Sequence, residues 1–310
     1  MCAQGHDDKE ASIMTLRRSI HFVPGGNDKM LSKALGLSAD SLILDLEDSV
    51  TPERKEAVRA EVCVWLKETN FGKQERLVRI NPMDTAWGRD DLEAVLQYKP
   101  DGIVLPKVLD LKAVQAVDQL IVNQEKQTGE DLSHVKLLLI GTEMAAAVFN
   151  LPKMVTHPRV NGVTWGAEDL SVSLGARAKR DADGNYLEVF GFVRSMCLLA
   201  AVAAEVQPID AVYVDIQNSK GLEKECNVAA DMGFTGKITI HPNQIEIVNR
   251  AFTPSDAEIA EAKALVSAFE EHQKAGKMAF TFNGAMVDVP HLKQAQKILA
   301  IAAHIVAQTS

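Results

Sequence analysis

Val135-Lys136-Leu137-Leu138-Leu139-Ile140-Gly141-Thr142-Glu143 is a short apolar run that stops on a small residue, a hydroxyl and a carboxylate. A run of this length bounded by turn residues reads as a buried strand, so Glu143 stands at its C-terminal end. Residues 160–166 repeat the pattern, with Asp169 just beyond, 26 positions after Glu143. Six other runs stop in the same way. Residues 18–23 meet Pro24-Gly25-Gly26, and 41–44 meet Asp45-Leu46-Glu47-Asp48. Residues 76–80 contain Arg79 and end at Asn81, while 102–105 end at Pro106-Lys107. Residues 211–214 meet Asp215, and 237–240 meet His241-Pro242. Eight such runs, separated by longer helical patterns, predict an α/β fold, a (β/α)8 TIM barrel whose active site is built at the C-terminal strand ends.

The 310 residues suffice for one barrel and an extension. We expect a polar leader over residues 1–14, the barrel over 15–252, and a C-terminal lid over 253–310 with two helices around a hairpin turning at Asn283-Gly284. Helices are expected at 28–37, 52–68, 90–98, 111–126, 151–156, 186–206 and 222–231, the first capped by Asn27 and the second by Thr51-Pro52. Val58, Val62, Trp65 and Leu66 recur at helical spacing and should face the barrel. A net charge of -9 without a basic stripe argues against nucleic acid. No apolar segment reaches the ~20 residues of a membrane span, and a cytoplasmic location is expected. Cys2, Cys63, Cys197 and Cys226 form no CxxC pair and read as free thiols.

Glu143 and Asp169 are hard oxygen donors suited to magnesium or manganese, which need few protein carboxylates when substrate and water supply the rest. The same residues could instead pair with basic groups at the barrel rim. Asp45, Glu47 and Asp48 crowd three carboxylates into four residues; they would hold waters around a metal, or serve the N-terminus of the next helix. Arg79, inside an apolar run, either emerges to bind an oxygen that gains charge during reaction or forms a buried salt bridge to Asp45 or Glu47. Lys107 pairs with acidic neighbours or acts as a Schiff-base amine. The glycine loop before Lys29 and Lys33 could receive phosphate, and Asp288 could cap the final helix.

These residues resemble the citrate lyase β-subunit-like, CoA-ester lyase branch of the HpcH/HpaI aldolase superfamily. The matching stretches are Phe22-Val23-Pro24-Gly25, Leu44-Asp45-Leu46-Glu47-Asp48, Val78-Arg79-Ile80-Asn81, Leu105-Pro106-Lys107, Trp165-Gly166-Ala167-Glu168-Asp169, Ile240-His241-Pro242 and Gly284-Ala285-Met286-Val287-Asp288. The resemblance implies magnesium on Glu143 and Asp169, with Glu47 and Asp48 behind them. It also implies that Arg79 holds a thioester or enolate oxygen, and that a neighbouring subunit of a homotrimer or hexamer supplies Asp288 as acid/base. By the same likeness Phe22, Lys33, Glu168, Asp215 and Ile216 touch substrate or its CoA portion. The chain departs from the family pattern at Asn27, where relatives often carry Arg and Lys29 would take over, and at Met144 and Ala147. The implied reaction is magnesium-dependent cleavage of citramalyl-CoA or malyl-CoA to acetyl-CoA and a keto acid. A citrate lyase β subunit acting on a citryl-carrier thioester and a malyl-CoA thioesterase are the alternatives.

Overall fold

The computed structural model describes residues 15–309; the expected leader, 1–14, and Cys2 lie outside the described residues. The chain divides into two compact units, one of them Arg18–Phe252. This unit is a closed barrel of eight parallel strands in sequential order, β1 to β8. The strands are β1 Ser19–Pro24, β2 Ser41–Asp45, β3 Glu75–Arg79, β4 Gly102–Leu105, β5 Lys136–Ile140, β6 Val160–Thr164, β7 Gln207–Asp210 and β8 Gly236–Thr239. Around them run α1 Asp28–Leu35, α2 Lys55–Glu68, α3 Gly88–Leu96, α4 Leu111–Thr128, α5 Ala145–Met154, α6 Ala167–Leu174, α7 Glu188–Ala203, α8 Ser219–Met232 and α9 Ile245–Ala251.

Alternation along the strands sorts side chains into two cores. Ile20, Ile43, Leu77, Val104, Leu138, Ile209 and Ile238 fill the barrel, with Phe22 and Val212 partly buried against them. The opposite faces, among them Leu42, Leu44, Val78, Ile103, Leu137 and Val163, pack against helix residues that include Val58, Val62, Trp65 and Leu66. Trp65 is core packing, as its spacing predicts, and its indole N–H donates to Asp28 Oδ1 at 2.7 Å.

Several boundaries differ from the sequence reading. The seventh strand is Gln207–Asp210, not 211–214. Gln, Pro and Asp disguise it, and the buried Asp210 is tolerated because Lys237 Nζ (2.7 Å) and Arg194 Nη2 (2.9 Å) neutralise it. Asp215 therefore stands five residues past the strand, not at its end. α6 and α9 are helices where none was expected, and α5 starts well before residue 151. Asn27 caps α1 by accepting from Met30 N–H at 3.1 Å. Thr51 makes no side-chain cap; Pro52 opens a single 3-10 turn that leads into α2. Cys63, Cys197 and Cys226 are buried free thiols.

Residues 253–309 lie in the second unit. α10 Asp256–Lys274 begins with a reciprocal Ser255–Glu258 capping box. β9 Phe280–Phe282 and β10 Ala285–Val287 form the expected hairpin. Asn283 (φ 47°) and Gly284 (φ 82°) supply the two left-handed positions of its turn. Phe280 stacks on His272 and meets Phe269 edge-on, fastening the hairpin to α10. α11 Val289–Thr309 follows. Among the described residues, no helix is long and apolar enough to cross a membrane.

Candidate active site

The C-terminal end of the barrel holds a cavity of about 540 Å³. Two kinds of surface line it. Asp45, Asp48, Arg79, Glu143, Glu168 and Asp169 supply its polar groups, and Met30, Ala34, Leu37, Val212 and Ile240 are among its apolar ones. Phe22 and Lys33 also line it, so eight residues singled out from the sequence meet in one place. Lys29, Asp215 and Ile216 are exposed and lie outside the lining, and Glu47 is buried behind it. Asp288 belongs to the C-terminal unit, where its carboxylate contacts His291 Nδ1 at 2.6 Å and its carbonyl accepts the N–H groups of His291 and Leu292.

Arg79 is the most constrained of these side chains. Its Nε and Nη2 donate to the two oxygens of Asp45 at 2.6 and 2.8 Å, a planar two-point grip. Its Nη1 lies 2.9 Å from Glu47 Oε2 and 3.4 Å from Asp48 Oδ2. The guanidinium carbon sits 4.6 Å over the ring of Phe22. Burial works against the charge, but Asp45 and then Glu47 outweigh it and hold Arg79 protonated. Burial would also raise Asp45, yet the Arg79 bonds, with the amides of Glu47 and Ser49, keep it below the usual carboxylate range. Of the two alternatives anticipated for Arg79, the buried salt bridge to Asp45 and Glu47 is formed, and the side chain also lines the cavity.

The loop carrying Glu47 and Asp48 is clamped from behind. Lys55 Nζ donates to the carbonyls of Leu46 (2.9 Å) and Glu47 (2.7 Å), and Asn81 Nδ2 to Leu46 O at 2.9 Å. Asp91 accepts from Asn81 at 2.6 Å and from Arg59 at 2.6 Å. Sequence reasoning missed these supports; Asn81, two residues past the third strand, was the available signal. Gly25 serves the same region, because a Cβ there would lie 2.5 Å from Asp45 O.

Glu143 follows β5 and is almost fully buried. Burial, reinforced by Glu47 and Asp169, pushes its carboxyl up to about 8 despite a bond from Lys107 N–H. Space for it is made by Gly166, where a Cβ would stand 2.7 Å from Glu143 Cγ. Asp169 lies in the first turn of α6, while Glu168 beside it is paired with Lys179. Trp165, just before Gly166, is fixed by its indole N–H on Asp210 Oδ1 at 2.8 Å. The ion network under β7 thereby positions the segment that carries Asp169.

Lys107 joins the two halves. Its backbone is left-handed (φ 50°), its N–H donates to Glu143 Oε2 at 2.5 Å, and its Nζ pairs with Glu47. The same ammonium lies 3.5 Å from Asp48 Oδ1 and 3.7 Å from Asp169 Oδ1. Glu47 Oε2 has no aligned hydrogen-bond donor. Burial keeps the Glu47 carboxyl raised even against Arg79 and Lys107.

This donor set fits a hard divalent cation. Glu143 and Asp169 offer oxygens, and Glu143 is short of counter-charge. Among the described residues no three His, Cys, Asp or Glu side chains form a ready cluster, so water and substrate would complete the shell.

The family model for HpcH/HpaI aldolase/citrate lyase matches residues 18–242. A (3S)-malyl-CoA thioesterase of Cereibacter sphaeroides is 37% identical over 290 residues, 94% of this chain and 96% of its own. The mitochondrial citramalyl-CoA lyase of Rattus norvegicus is 34% identical over 316 residues, 98% of this chain and 91% of its own. Among solved structures, the protein CitE of Mycobacterium tuberculosis, in complex with magnesium, acetoacetate and coenzyme A, superposes with a TM-score of 0.78 at 32% identity. That match covers 94% of this chain and 99% of the other.

Proposed function

The chain belongs to the HpcH/HpaI aldolase/citrate lyase family, and on that premise we propose that this enzyme is a magnesium-dependent lyase of short β-hydroxyacyl-CoA thioesters. Citramalyl-CoA or malyl-CoA would be cleaved reversibly to acetyl-CoA and pyruvate or glyoxylate. The observation that carries the reading is Arg79, locked by Asp45 and Phe22 in the same cavity as Glu143 and Asp169. Held by those two carboxylates, magnesium would supply a Lewis acid and a template for the hydroxyl and carboxylate oxygens of the acyl head group.

The chain's own residues account for the proton and charge movements. Glu47 or Asp48 takes the proton from the substrate hydroxyl as the C–C bond breaks and the keto acid forms. The electron pair passes to the thioester as an enolate, whose oxygen is met by Arg79. A cation already oriented by Asp45 needs no reorganisation at that moment. The enolate carbon then takes a proton, the role we give to Asp288 of a second copy in a homotrimer or hexamer. The apolar lining residues would take the pantetheine arm, with Lys33 among the lining; Lys29, Asp215 and Ile216 remain candidates for the CoA end outside it.

A second reading is hydrolysis of the thioester, supported by the 37% identity to malyl-CoA thioesterases. Incubation with malyl-CoA and each citramalyl-CoA stereoisomer, with magnesium and with EDTA, separates the two by product mass. Acetyl-CoA plus a keto acid, only with metal, is the expected result. Free CoA with malate or citramalate would replace lysis by hydrolysis.

A further inference from the structure

The ammonium of Lys107 occupies the centre of the carboxylate cluster at the barrel mouth. It pairs with Glu47 and reaches Asp48 Oδ1 at 3.5 Å and Asp169 Oδ1 at 3.7 Å. No other lysine makes an ion pair with Glu47, Asp48 or Asp169 among the described residues, and Arg79, whose Nε and Nη2 grip Asp45, reaches Glu47 and Asp48 with Nη1 alone and makes no ion pair with Asp169. The backbone of Lys107 is left-handed at φ 50°, a conformation that costs a residue with a Cβ. That turn lets one residue give its N–H to Glu143 and its Nζ to Glu47.

We propose that Lys107 is the resident cation of this cluster, a positioning residue that balances the carboxylates in the metal-free protein and sets how tightly a divalent cation binds. The inference rests on the reading of Glu143 and Asp169 as metal ligands. Its backbone N–H keeps Glu143 aimed at the site, while its ammonium holds ground beside Asp169 that a dication would share. Like charges so placed repel. Even with the screening of water, a monocation and a dication about 5 Å apart shift a binding constant on the order of tenfold. Lys107 would thus lower metal affinity while preventing the empty cluster from repelling itself apart.

The test uses the full chain stripped with EDTA, as wild type, Lys107→Met and Lys107→Arg, with magnesium titrated by calorimetry. Melting temperature is measured with and without the metal. Methionine keeps an unbranched stem and the same left-handed backbone cost while removing the ammonium, with its charge and its bond to Glu47. Lys107→Met should bind magnesium about tenfold more tightly or better. It should also melt below wild type without metal, with the gap closing when magnesium is saturating. Lys107→Arg should stay near wild type in both. Magnesium affinity in Lys107→Met equal to or weaker than wild type would overturn the inference while leaving the metal site standing. No magnesium binding by wild type would remove the metal reading and this inference together. Should Lys107→Met fail to fold, Lys107→Gln carries the same comparison.

Discussion

Lys237→Met tests whether the ion network under β7 holds the barrel as a charge-compensated unit. Lys237 is fully buried, and its ammonium donates to Asp210 Oδ2 at 2.7 Å and Glu225 Oε1 at 2.9 Å. Removing one partner of a buried pair costs about 3–5 kcal/mol, because the remaining charge is left uncompensated. Here Arg194 still grips Asp210, and Arg180 still meets Glu225 at 2.6 Å. The low end, about 3 kcal/mol, is therefore expected. For a unit of this size that corresponds to a fall in melting temperature of roughly 6–12 °C.

Acid gives the experiment a second axis. Burial alone would raise the Asp210 carboxyl, but Lys237 and then Arg194 draw it down to about 2 from its ordinary 3.8. A carboxyl depressed in the folded state contributes stability above its unfolded pKa and loses it as pH falls through the folded one. Wild type should therefore lose about 2 kcal/mol from this group between pH 4 and pH 2. Lys237→Met should lose less, so the gap between the two narrows as pH drops. Urea or thermal unfolding at several pH values measures both effects. A melting temperature within about 2 °C of wild type at pH 7, or a gap that widens in acid, would refute the argument.

Three further outcomes concern the mouth of the barrel. Arg79→Ala should lower kcat by roughly 10²–10⁴ on whichever thioester is turned over, and near-normal turnover would remove it from the mechanism. Asp288→Ala should cost about the same through proton transfer without altering magnesium affinity, which calorimetry would check. Gly166→Ala places a methyl group 2.7 Å from Glu143 Cγ. It should weaken magnesium binding by about tenfold or more by displacing a ligand; unchanged affinity would mean that Glu143 does not hold the metal.

The barrel was legible because its strands obey a simple rule: apolar runs that stop on residues able to act. Phe22, Asp45, Asp48, Arg79, Glu143 and Asp169 stand where that rule puts them, around one cavity. The rule failed at Gln207–Asp210, where a strand carries a buried carboxylate. Periodicity reads polar residues as exposed and cannot register that Lys237 and Arg194, 27 and 16 positions away, cancel the charge. The misplaced strand carried Asp215 with it, from a strand end to an exposed loop. Lys107 was visible as a residue after Pro106, but its left-handed backbone, and hence its double contact, is a property of the folded loop alone.

Asp210 and Glu143 show what the same chemistry does under two balances of charge. Both carboxylates are buried in one barrel, and burial raises both. Asp210 faces Lys237 and Arg194 and ends near 2; Glu143 faces Glu47 and Asp169, with Lys107 nearby, and ends near 8. The first arrangement is complete and needs nothing more, as suits a support beneath Trp165 and the start of α6. The second gathers more negative charge than Lys107 and the outer nitrogen of Arg79 can match. For its two buried members, Glu47 and Glu143, a negative charge is costly unless a proton or another cation joins it. A fold that neutralises one set of buried carboxylates internally leaves the other, short of positive charge, facing the cavity, where a cation could reach it.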